Sequence, residues 1–250
     1  VDLLSKRDDK PHFIFSSPNI PNPDIYLNLT NISSDDISEK MTTSYSPVSQ
    51  MKYIIDLVEK EVKVHNDYNK NFIHIAKLKE GASLTEIIKT AGRDRQNIVY
   101  CNATSKAIEY ALDYANSIKT QEDNTELLAL SREIKGQIHA DYYLADLLTK
   151  GVAYHIGYLP ADIRLRIEDL FKKGAIKTIF CTSTLVEGVN LPADNLFITS
   201  YKNGLSHMTP VEFRNLVGRV GRIEFNLYGN VFLTRIENNV EPQKYVDLIE

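Results

Sequence analysis

The clearest pattern in the sequence is a series of short apolar runs within residues 97–234, separated by stretches of amphipathic character. The runs are apolar without alternation, which is typical of parallel strands, because helices cover both faces of a parallel sheet. We interpret them as strands: residues 97–101 (NIVYC), 152–156 (VAYHI), 178–182 (TIFCT), 196–200 (LFITS) and 230–234 (NVFLT).

The stretches between these runs have apolar residues at helical spacing. They predict helices over residues 105–118 and around 126–149, and another helix that Pro160 opens, with Ile163 and Ile167 on its buried side. Strands that alternate with helices indicate an α/β protein with an open parallel β-sheet and helices on both faces.

The first part of the chain is less regular. Residues 12–16 (HFIFS) predict a short buried strand, and residues 28–48 have the polar composition of a linker or a long surface loop. A helix is predicted from Met51 onward, and a second helix is predicted to begin at Ser83, where SLTE matches a capping box. The helix from Met51 rests on the spacing of Ile54, Ile55, Val58 and Val62.

Composition narrows the class of protein. Hydrophobic residues make up 43% and charged residues 25%, as in ordinary globular proteins, and the net charge of −4 requires any nucleic-acid site to be a local basic patch. Cys101 and Cys181 lie inside apolar runs, which favours buried, reduced thiols. No Cys-x-x-Cys spacing occurs, so no metal site is predicted. No apolar run approaches the roughly 20 residues of a membrane span, so we expect a cytoplasmic protein without a membrane partner.

An arginine-rich segment, residues 212–222 (EFRNLVGRVGR), carries candidate chemistry. Thr209, Pro210 and Glu212 form a helix start with a capping box. A helix continued to Arg222 places Asn215, Arg219 and Arg222 opposite an apolar face formed by Phe213, Leu216, Val217 and Val220.

Gly218 and Gly221 lie between these two faces and permit a close approach. Arginines on such an element suit a phosphate group, because the planar guanidinium can bond two oxygens. The alternative is a surface helix with ordinary charges.

A second candidate segment follows a predicted strand at residues 181–199 (CTSTLVEGVNLPADNLFIT). Thr182, Ser183 and Thr184 come at the carboxyl end of that strand, and ligands bind at this edge of open α/β sheets. Hydroxyl and backbone N–H groups there suit phosphate oxygens. The alternative is a Ser/Thr turn followed by an ordinary loop, in which Gly188 permits the turn and Pro192 ends it.

Together the two segments resemble known helicase motifs. Residues 215–222 (NLVGRVGR) resemble motif VI of superfamily 2 helicases, and residues 182–193 (TSTLVEGVNLPA) resemble motif V of the Ski-type subfamily of these DEAD/DEAH-type enzymes. Residues 97–107 (NIVYCNATSKA) resemble motif IV. The resemblance implies that residues 46–236 are the second, C-terminal RecA-like domain of an ATP-dependent helicase.

The resemblance also implies the character of both ends. Residues 1–45 would be the tail of the first RecA-like domain, with residues 13–23 (FIFSSPNIPNP) similar to the end of motif III, followed by the linker. Residues 237–250 would begin the following element. The chain would then be a piece of a longer protein, and the role of residues 64–96 stays open.

The resemblance assigns nucleotide-binding roles. Arg222 matches the arginine finger that reaches the γ-phosphate of ATP, and Arg219 matches its neighbour, which contacts the phosphates or helps to close the cleft. Gly188 and Asn190 match positions near the ribose and the attacking water, and Asn215 stands where many relatives have Gln or His.

The resemblance assigns strand-binding roles as well. Thr182, Ser183 and Thr184 match positions that hold the sugar-phosphate backbone of single-stranded DNA or RNA. Further candidates at the same edge are Asn102, Thr104, Ser105, His155 and Gly157. For His155 the alternative is a structural histidine with internal hydrogen bonds.

The departures from the family pattern are equally informative. The sequence has no G-x-x-x-x-G-K-[ST] loop for the phosphates of ATP and no DEAD, DEAH or DExH sequence for Mg²⁺. ATP and Mg²⁺ would therefore be bound mainly by the first RecA-like domain of the same chain, and this fragment alone should be inactive. A catalytically inactive RecA-like scaffold that binds nucleic acid or protein remains as the alternative. No G-x-G-x-x-G follows a strand, which argues against a dehydrogenase.

Overall fold

The computed structural model describes Ile14 and residues 49–120, 124–185, 191–221 and 228–249. The chain divides into two units, Val1–Ser46 and Pro47–Glu250, and apart from Ile14 only residues of the second unit are described. The predicted strand at 12–16, the loop or linker and the motif III-like segment therefore lie, except for Ile14, outside the described residues.

The described residues contain an eight-stranded sheet with the strand order β3–β2–β1–β10–β7–β4–β6–β5. A separate two-stranded hairpin is formed by β8 and β9. The strands are β1 Ser49–Asp56, β2 Glu61–Asn66, β3 Asn71–Lys77, β4 Asn97–Tyr100, β5 Val152–His155, β6 Thr178–Cys181, β7 Asn195–Ile198, β8 Lys202–Asn203, β9 Ser206–His207 and β10 Tyr228–Arg235.

Neighbouring strands in the series β1–β10–β7–β4–β6–β5 are parallel. Strands β2 and β3 are antiparallel and extend the sheet beyond β1. This mostly parallel sheet confirms the predicted α/β class, and β4, β5, β6, β7 and β10 lie where the five apolar runs predict strands. It is consistent with a RecA-like open sheet covered by helices.

The predicted helix from Met51 is wrong, because Ile54 and Ile55 belong to β1 and Val62 belongs to β2. The carboxylate of Asp56 accepts hydrogen bonds from the amides of Val58 and Glu59, at 3.0 and 2.9 Å, and so closes a turn where a helix would continue. The apolar spacing fits a hairpin equally well, since Val58 lies in the turn.

The helices in the described part of the chain are mostly short, and none of them is long and apolar enough to cross a membrane. They are α1 Leu84–Ala91, α2 Thr104–Asn116, α3 Thr125–Gln137, α4 Tyr143–Leu148, α5 Ala161–Lys172, α6 Pro210–Val217 and α7 Pro242–Ile249.

Local signals for helix starts are confirmed. The hydroxyl of Ser83 accepts from the amide of Glu86 at 3.3 Å and caps α1, and α5 begins directly after Pro160. The helix predicted around 126–149 is two helices, because the chain breaks between α3 and α4. The break lets both helices bury leucines, and the hydroxyl of Ser131 in α3 donates to the carbonyl oxygen of Ala145 in α4 at 2.7 Å.

The core lies on both faces of the sheet. On one face Tyr53, Phe232 and Phe197 form a stacked row with ring centroids 5.2 and 4.7 Å apart. Cys101 and Cys181 are buried free thiols, as predicted, and burial raises the pKa of Cys101 to about 12 and that of Cys181 well above its usual value. Both thiols therefore stay protonated at neutral pH.

Six strands run the same way: β1, β10, β7, β4, β6 and β5. Their carboxyl ends therefore all meet at one edge of the sheet, and their amino ends all meet at the other. The hairpin of β8 and β9 follows the carboxyl end of β7. From there α6 returns to the amino edge before β10 begins, a span of about 12 Å for a helix of this length. This crossover separates the two candidate segments in space.

Candidate functional site

The hydroxyl segment lies at the carboxyl edge of the sheet, directly after β6. Thr182 follows Cys181, and a short 3₁₀ turn covers Ser183–Leu185. The amide of Thr182 donates to the carbonyl oxygen of His155, at the end of β5, across 3.4 Å. The side chains of Thr182, Ser183 and Thr184 are half-buried, and the hydroxyl oxygens of Thr182 and Thr184 lie 3.4 Å apart.

His155 ends β5 beside this segment, and its side chain is almost completely buried. Its Nε2 lies 2.9 Å from Oε1 of Glu168 on α5, and its Nδ1 lies 3.5 Å from Oγ1 of Thr184. Burial lowers the pKa of His155, although the carboxylate of Glu168 opposes the shift. Because both ring nitrogens face internal partners, the ring has no direct route to a bound strand in this structure.

Gly157 lies next to the same threonine. A Cβ placed on Gly157 would be 3.4 Å from the methyl carbon of Thr184, which is van der Waals contact and places Gly157 beside the hydroxyl segment. Gly157 itself is exposed. The structure therefore brings His155, Gly157, Thr182 and Thr184 together in one place.

The candidates after β4 lie at the same edge, because β4 is the neighbour of β6. The amide nitrogen Nδ2 of Asn102 donates to the carbonyl oxygen of Gly204 at 3.3 Å, and the backbone N–H of Gly204 donates to the carbonyl oxygen of Asn102 at 3.1 Å. Asn102 is thus joined to the turn of the β8–β9 hairpin. Thr104 and Ser105 open α2, and the cap residue Ala103 has no polar side chain for the first amides of that helix.

The arginine segment begins as the sequence predicts. Thr209 caps α6 in a complete capping box with Glu212, and Pro210 is the first helical residue. The carboxylate of Glu212 also accepts from Nδ2 of Asn203 at 2.9 Å, which joins α6 to β8. The backbone hydrogen bond from Thr209, followed by side-chain bonds from Asn203 and Thr209, lowers the pKa of Glu212.

The predicted continuation of this helix to Arg222 is wrong, because α6 ends at Val217. The amides of Arg219 and Val220 donate to the carbonyl oxygens of Leu216 and Val217, both at 3.1 Å, which is a tighter turn than an α-helix. Gly221 then has a φ of 67°, in the left-handed region that favours glycine. Arg219 therefore lies in a turn beyond the helix, while Asn215 is exposed on α6.

This turn, residues 218–221, is held in place by contacts with three residues, and we call it the arginine turn. Nε2 of Gln50 in β1 donates to the carbonyl oxygens of Val217 and Val220, at 3.1 and 3.0 Å. Gly229 in β10 leaves room for the turn, since a Cβ there would be 2.2 Å from Cγ1 of Val220. The amide of Ala193 donates to the carbonyl oxygen of Arg219 at 3.2 Å, and Ala193 bridges Val220 in parallel.

The two candidate groups thus lie at opposite edges of the sheet. The arginine turn contacts Gln50, Ala193 and Gly229, at or just before the starts of three strands, whereas Thr182–Thr184 follow the end of one. Residues 182–193 connect the two groups. Burial raises the pKa of the Cys181 thiol well above its usual value, and the charge of Arg219 opposes this shift.

Three predicted site residues, Gly188, Asn190 and Arg222, lie outside the described residues. Sequence reasoning missed Gln50, Gly229 and Glu168. Glu168 had a signal, because it is a carboxylate beside Ile167 on the apolar face of α5. Gln50 had no signal in the sequence, since its hydrogen-bond partners are 167 and 170 residues away.

The family described as the helicase conserved C-terminal domain matches residues 79–224, more than half of the chain. The chain belongs to this helicase family. The match confirms the resemblance to a superfamily 2 helicase C-terminal domain, whereas the Ski-type assignment stays a prediction.

Individual helicases give similar matches. The chain is 31% identical over 164 residues to the ATP-dependent DNA helicase Hel308 of Thermoplasma acidophilum, covering 61% of the chain and 23% of that protein. It is 28% identical over 250 residues to the probable ATP-dependent DNA helicase HFM1 of Xenopus tropicalis, covering 95% and 17%. The Hel308 of Methanococcus vannielii is 26% identical over 254 residues, covering 96% and 33%. The chain thus spans a third or less of each of these relatives.

Proposed function

We propose that this chain is the second RecA-like domain of an ATP-dependent helicase or translocase. In this proposal the domain comprises residues 46–236. Residues 1–45 are then the tail of the first RecA-like domain and the linker, and residues 237–250 begin the following element. It holds single-stranded nucleic acid at the carboxyl edge of its sheet and presents Arg219 and Arg222 to ATP that the first RecA-like domain binds. The helicase family membership and the named relatives support the proposal.

The observation that carries the proposal is the connection between the two groups of residues. Residues 182–193 begin with the strand-binding hydroxyls and end at Ala193, which is bonded to Arg219 and Val220. In this proposal a displacement of the strand-binding edge is passed along this one segment of chain to the backbone that carries Arg219. ATP-driven translocation requires a link of this kind, since nucleotide and strand must bias the same conformational change.

The residues present fit one part of an ATP site only. A guanidinium on a fixed turn suits phosphate oxygens and neutralises charge that develops during phosphoryl transfer. The described residues contain no group of three or more His, Cys, Asp or Glu side chains able to hold a metal ion. Mg²⁺ and most of the nucleotide would therefore be bound by the first RecA-like domain, with the role of this chain being to complete the site when the two domains close.

The strand-binding edge fits a phosphate backbone better than bases. The candidate donors there are hydroxyls, the amide of Asn102 and the backbone N–H groups at the start of α2. Such contacts carry no sequence information, so binding should be nonspecific and should weaken with salt. The named relatives are described as DNA helicases, which favours DNA as the strand. A cytoplasmic location remains part of the proposal.

The test is the strand-stimulated ATP turnover of the full-length protein with Arg222→Ala. We expect a loss of about 10³-fold or more, because an arginine finger contributes that much to phosphoryl transfer. Turnover within about twofold of wild type would contradict the finger assignment. A full-length protein without strand-stimulated turnover would favour the inactive scaffold.

A further inference from the structure

A chain of polar groups runs from the interior of the domain to the proposed strand-binding edge. It joins Oε1 of Glu168 to Nε2 of His155 (2.9 Å), Nδ1 of His155 to Oγ1 of Thr184 (3.5 Å), and Oγ1 of Thr184 to Oγ1 of Thr182 (3.4 Å). Glu168 and His155 are buried, whereas the two threonines are half-buried. We call these residues the polar chain.

The carboxylate of Glu168, at the inner end of the polar chain, determines where the hydrogens of the other groups lie. A carboxylate only accepts hydrogen bonds, so Nε2 of His155 carries the proton that faces Glu168. In a neutral ring Nδ1 is then an acceptor, and the hydroxyl of Thr184 must donate to it. Thr184 in turn accepts from Thr182, so both hydroxyl protons point inward.

This inward arrangement is the wrong one for a phosphate. Phosphodiester oxygens are acceptors and need donors, and in this arrangement both hydroxyl protons are directed to internal partners, across long contacts of 3.4 and 3.5 Å, rather than outward. A second proton on the imidazole reverses the arrangement, because Nδ1–H then donates to Oγ1 of Thr184 and releases the threonine proton. It also adds a positive charge beneath the site, while Glu168 stays paired with Nε2–H.

We propose that binding of a strand phosphate at Thr182 and Thr184 is coupled to the uptake of one proton by His155, and that Glu168 is the positioning residue that makes this possible. The inference rests on the proposed function, because it requires the strand to lie at these threonines. No bond other than the N–H bond forms or breaks, and the proton comes from solvent.

The charged groups around His155 are consistent with this coupling. On α5, the carboxylate of Glu168 contacts the ring and stabilises the imidazolium, whereas the charge of Arg164 opposes it. From β6 the ring faces Cys181, its partner in the strand register, whose thiol is kept protonated by burial. Burial keeps the ring neutral in the free protein, and the phosphate charge supplies the missing stabilisation of the protonated form.

The sign of the effect follows from linkage. If the strand binds the protonated form better, the pKa of His155 is higher in the complex than in the free protein. Affinity for the strand then rises as the pH falls through the pKa of the complex. It levels off below the pKa of the free protein, and one linked proton limits the change to about tenfold per pH unit.

The experiment measures binding of an oligo-dT strand to the full-length protein between pH 5.5 and 8.5 at constant ionic strength. Calorimetry in buffers of different ionisation enthalpy then counts the protons taken up. Wild type should take up about one proton more than Glu168→Gln, because the glutamine oxygen still accepts from Nε2–H but no longer stabilises the imidazolium. Asp169→Asn is the matched control, since it removes an exposed carboxylate from the next position of the same helix.

A second pair of variants protects the test against a folding defect at Glu168. Thr184→Val keeps the shape and removes the hydroxyl, and should abolish the extra proton uptake and weaken binding, whereas Thr184→Ser should retain both. If Glu168→Gln and Thr184→Val take up as many protons as wild type while Thr184→Val still weakens binding, the coupling is overturned and the strand site stands. If Thr184→Val and Thr182→Val leave the affinity unchanged at every pH, the strand does not bind there and the proposed function fails as well.

Discussion

The backbone amide of Ala193 donates to the carbonyl oxygen of Arg219 across 3.2 Å. This contact joins the end of the motif V-like segment to the arginine turn by backbone alone, so it does not depend on the side chain at either position. The position of the Arg219 backbone is therefore set by the residues that hold the arginine turn, and these residues provide the most specific tests of the structure.

Gln50 is the first of these residues. Gln50→Ala removes both hydrogen bonds to the carbonyl oxygens of Val217 and Val220 and should lower the free energy of unfolding by about 1–3 kcal/mol, because partly buried carbonyls lose their donor. Urea unfolding of the protein measures this. Gln243→Ala on α7 removes only an exposed bond to Asp247 and is the control. Equal midpoints for the two variants would show that Gln50 does not hold the turn.

Gly229 is the second. Gly229→Ala places a Cβ 2.7 Å from the amide nitrogen of Gly221 and closer still to Val220, so β10 or the arginine turn must move. Overpacking of this kind should destabilise the protein by about 1–3 kcal/mol. The same substitution at Gly136, in α3, meets no atom within 4 Å and should stabilise the helix by up to about 1 kcal/mol. Opposite shifts in the thermal midpoint are expected, and a harmless Gly229→Ala would contradict the close approach.

The buried His155 should make the free energy of unfolding of the strand-free protein depend on pH. Burial lowers the pKa of His155 from 6.5, so the unfolded chain binds the proton first as the pH falls. The free energy of unfolding should be at its full value above about pH 6.5 and decline below it, towards the folded pKa. His155→Gln should flatten this decline.

The control for that prediction is the exposed His139, whose substitution by Gln should leave the slope unchanged. Denaturant unfolding between pH 5 and 8 gives both slopes. A His155→Gln variant with the wild-type slope would show that the ring is not held neutral by burial.

Local chemistry explains which parts of the fold and of the candidate site could be predicted from the sequence. The starts of α1 and α6 were predictable because their caps involve residues within three positions of each other. Five of the parallel strands, β4, β5, β6, β7 and β10, were predictable because burial on both faces leaves a continuous apolar run. The family motifs then predicted the candidate residues.

Longer-range effects explain what was missed. The spacing of Ile54, Val58 and Val62 fits one face of a helix, yet Asp56 closes a turn between them and pairing with β10 decides the outcome. The end of α6 was missed because the carbonyl oxygens of Val217 and Val220 are bound by Gln50, from the other end of the chain. Tertiary contacts of this kind leave no periodic signal.

The most direct test of the central claim, that the arginine turn serves ATP hydrolysis, is the strand-stimulated ATP turnover of the full-length protein carrying Arg219→Ala. Its control is Arg214→Ala, which removes an exposed arginine of α6 whose Nε donates to the carbonyl oxygen of Pro210 in the same helix. We predict a loss of about 10²-fold for Arg219→Ala, since charge stabilisation in phosphoryl transfer is lost, and no change for Arg214→Ala. Turnover by Arg219→Ala equal to that of the Arg214→Ala control would contradict the account.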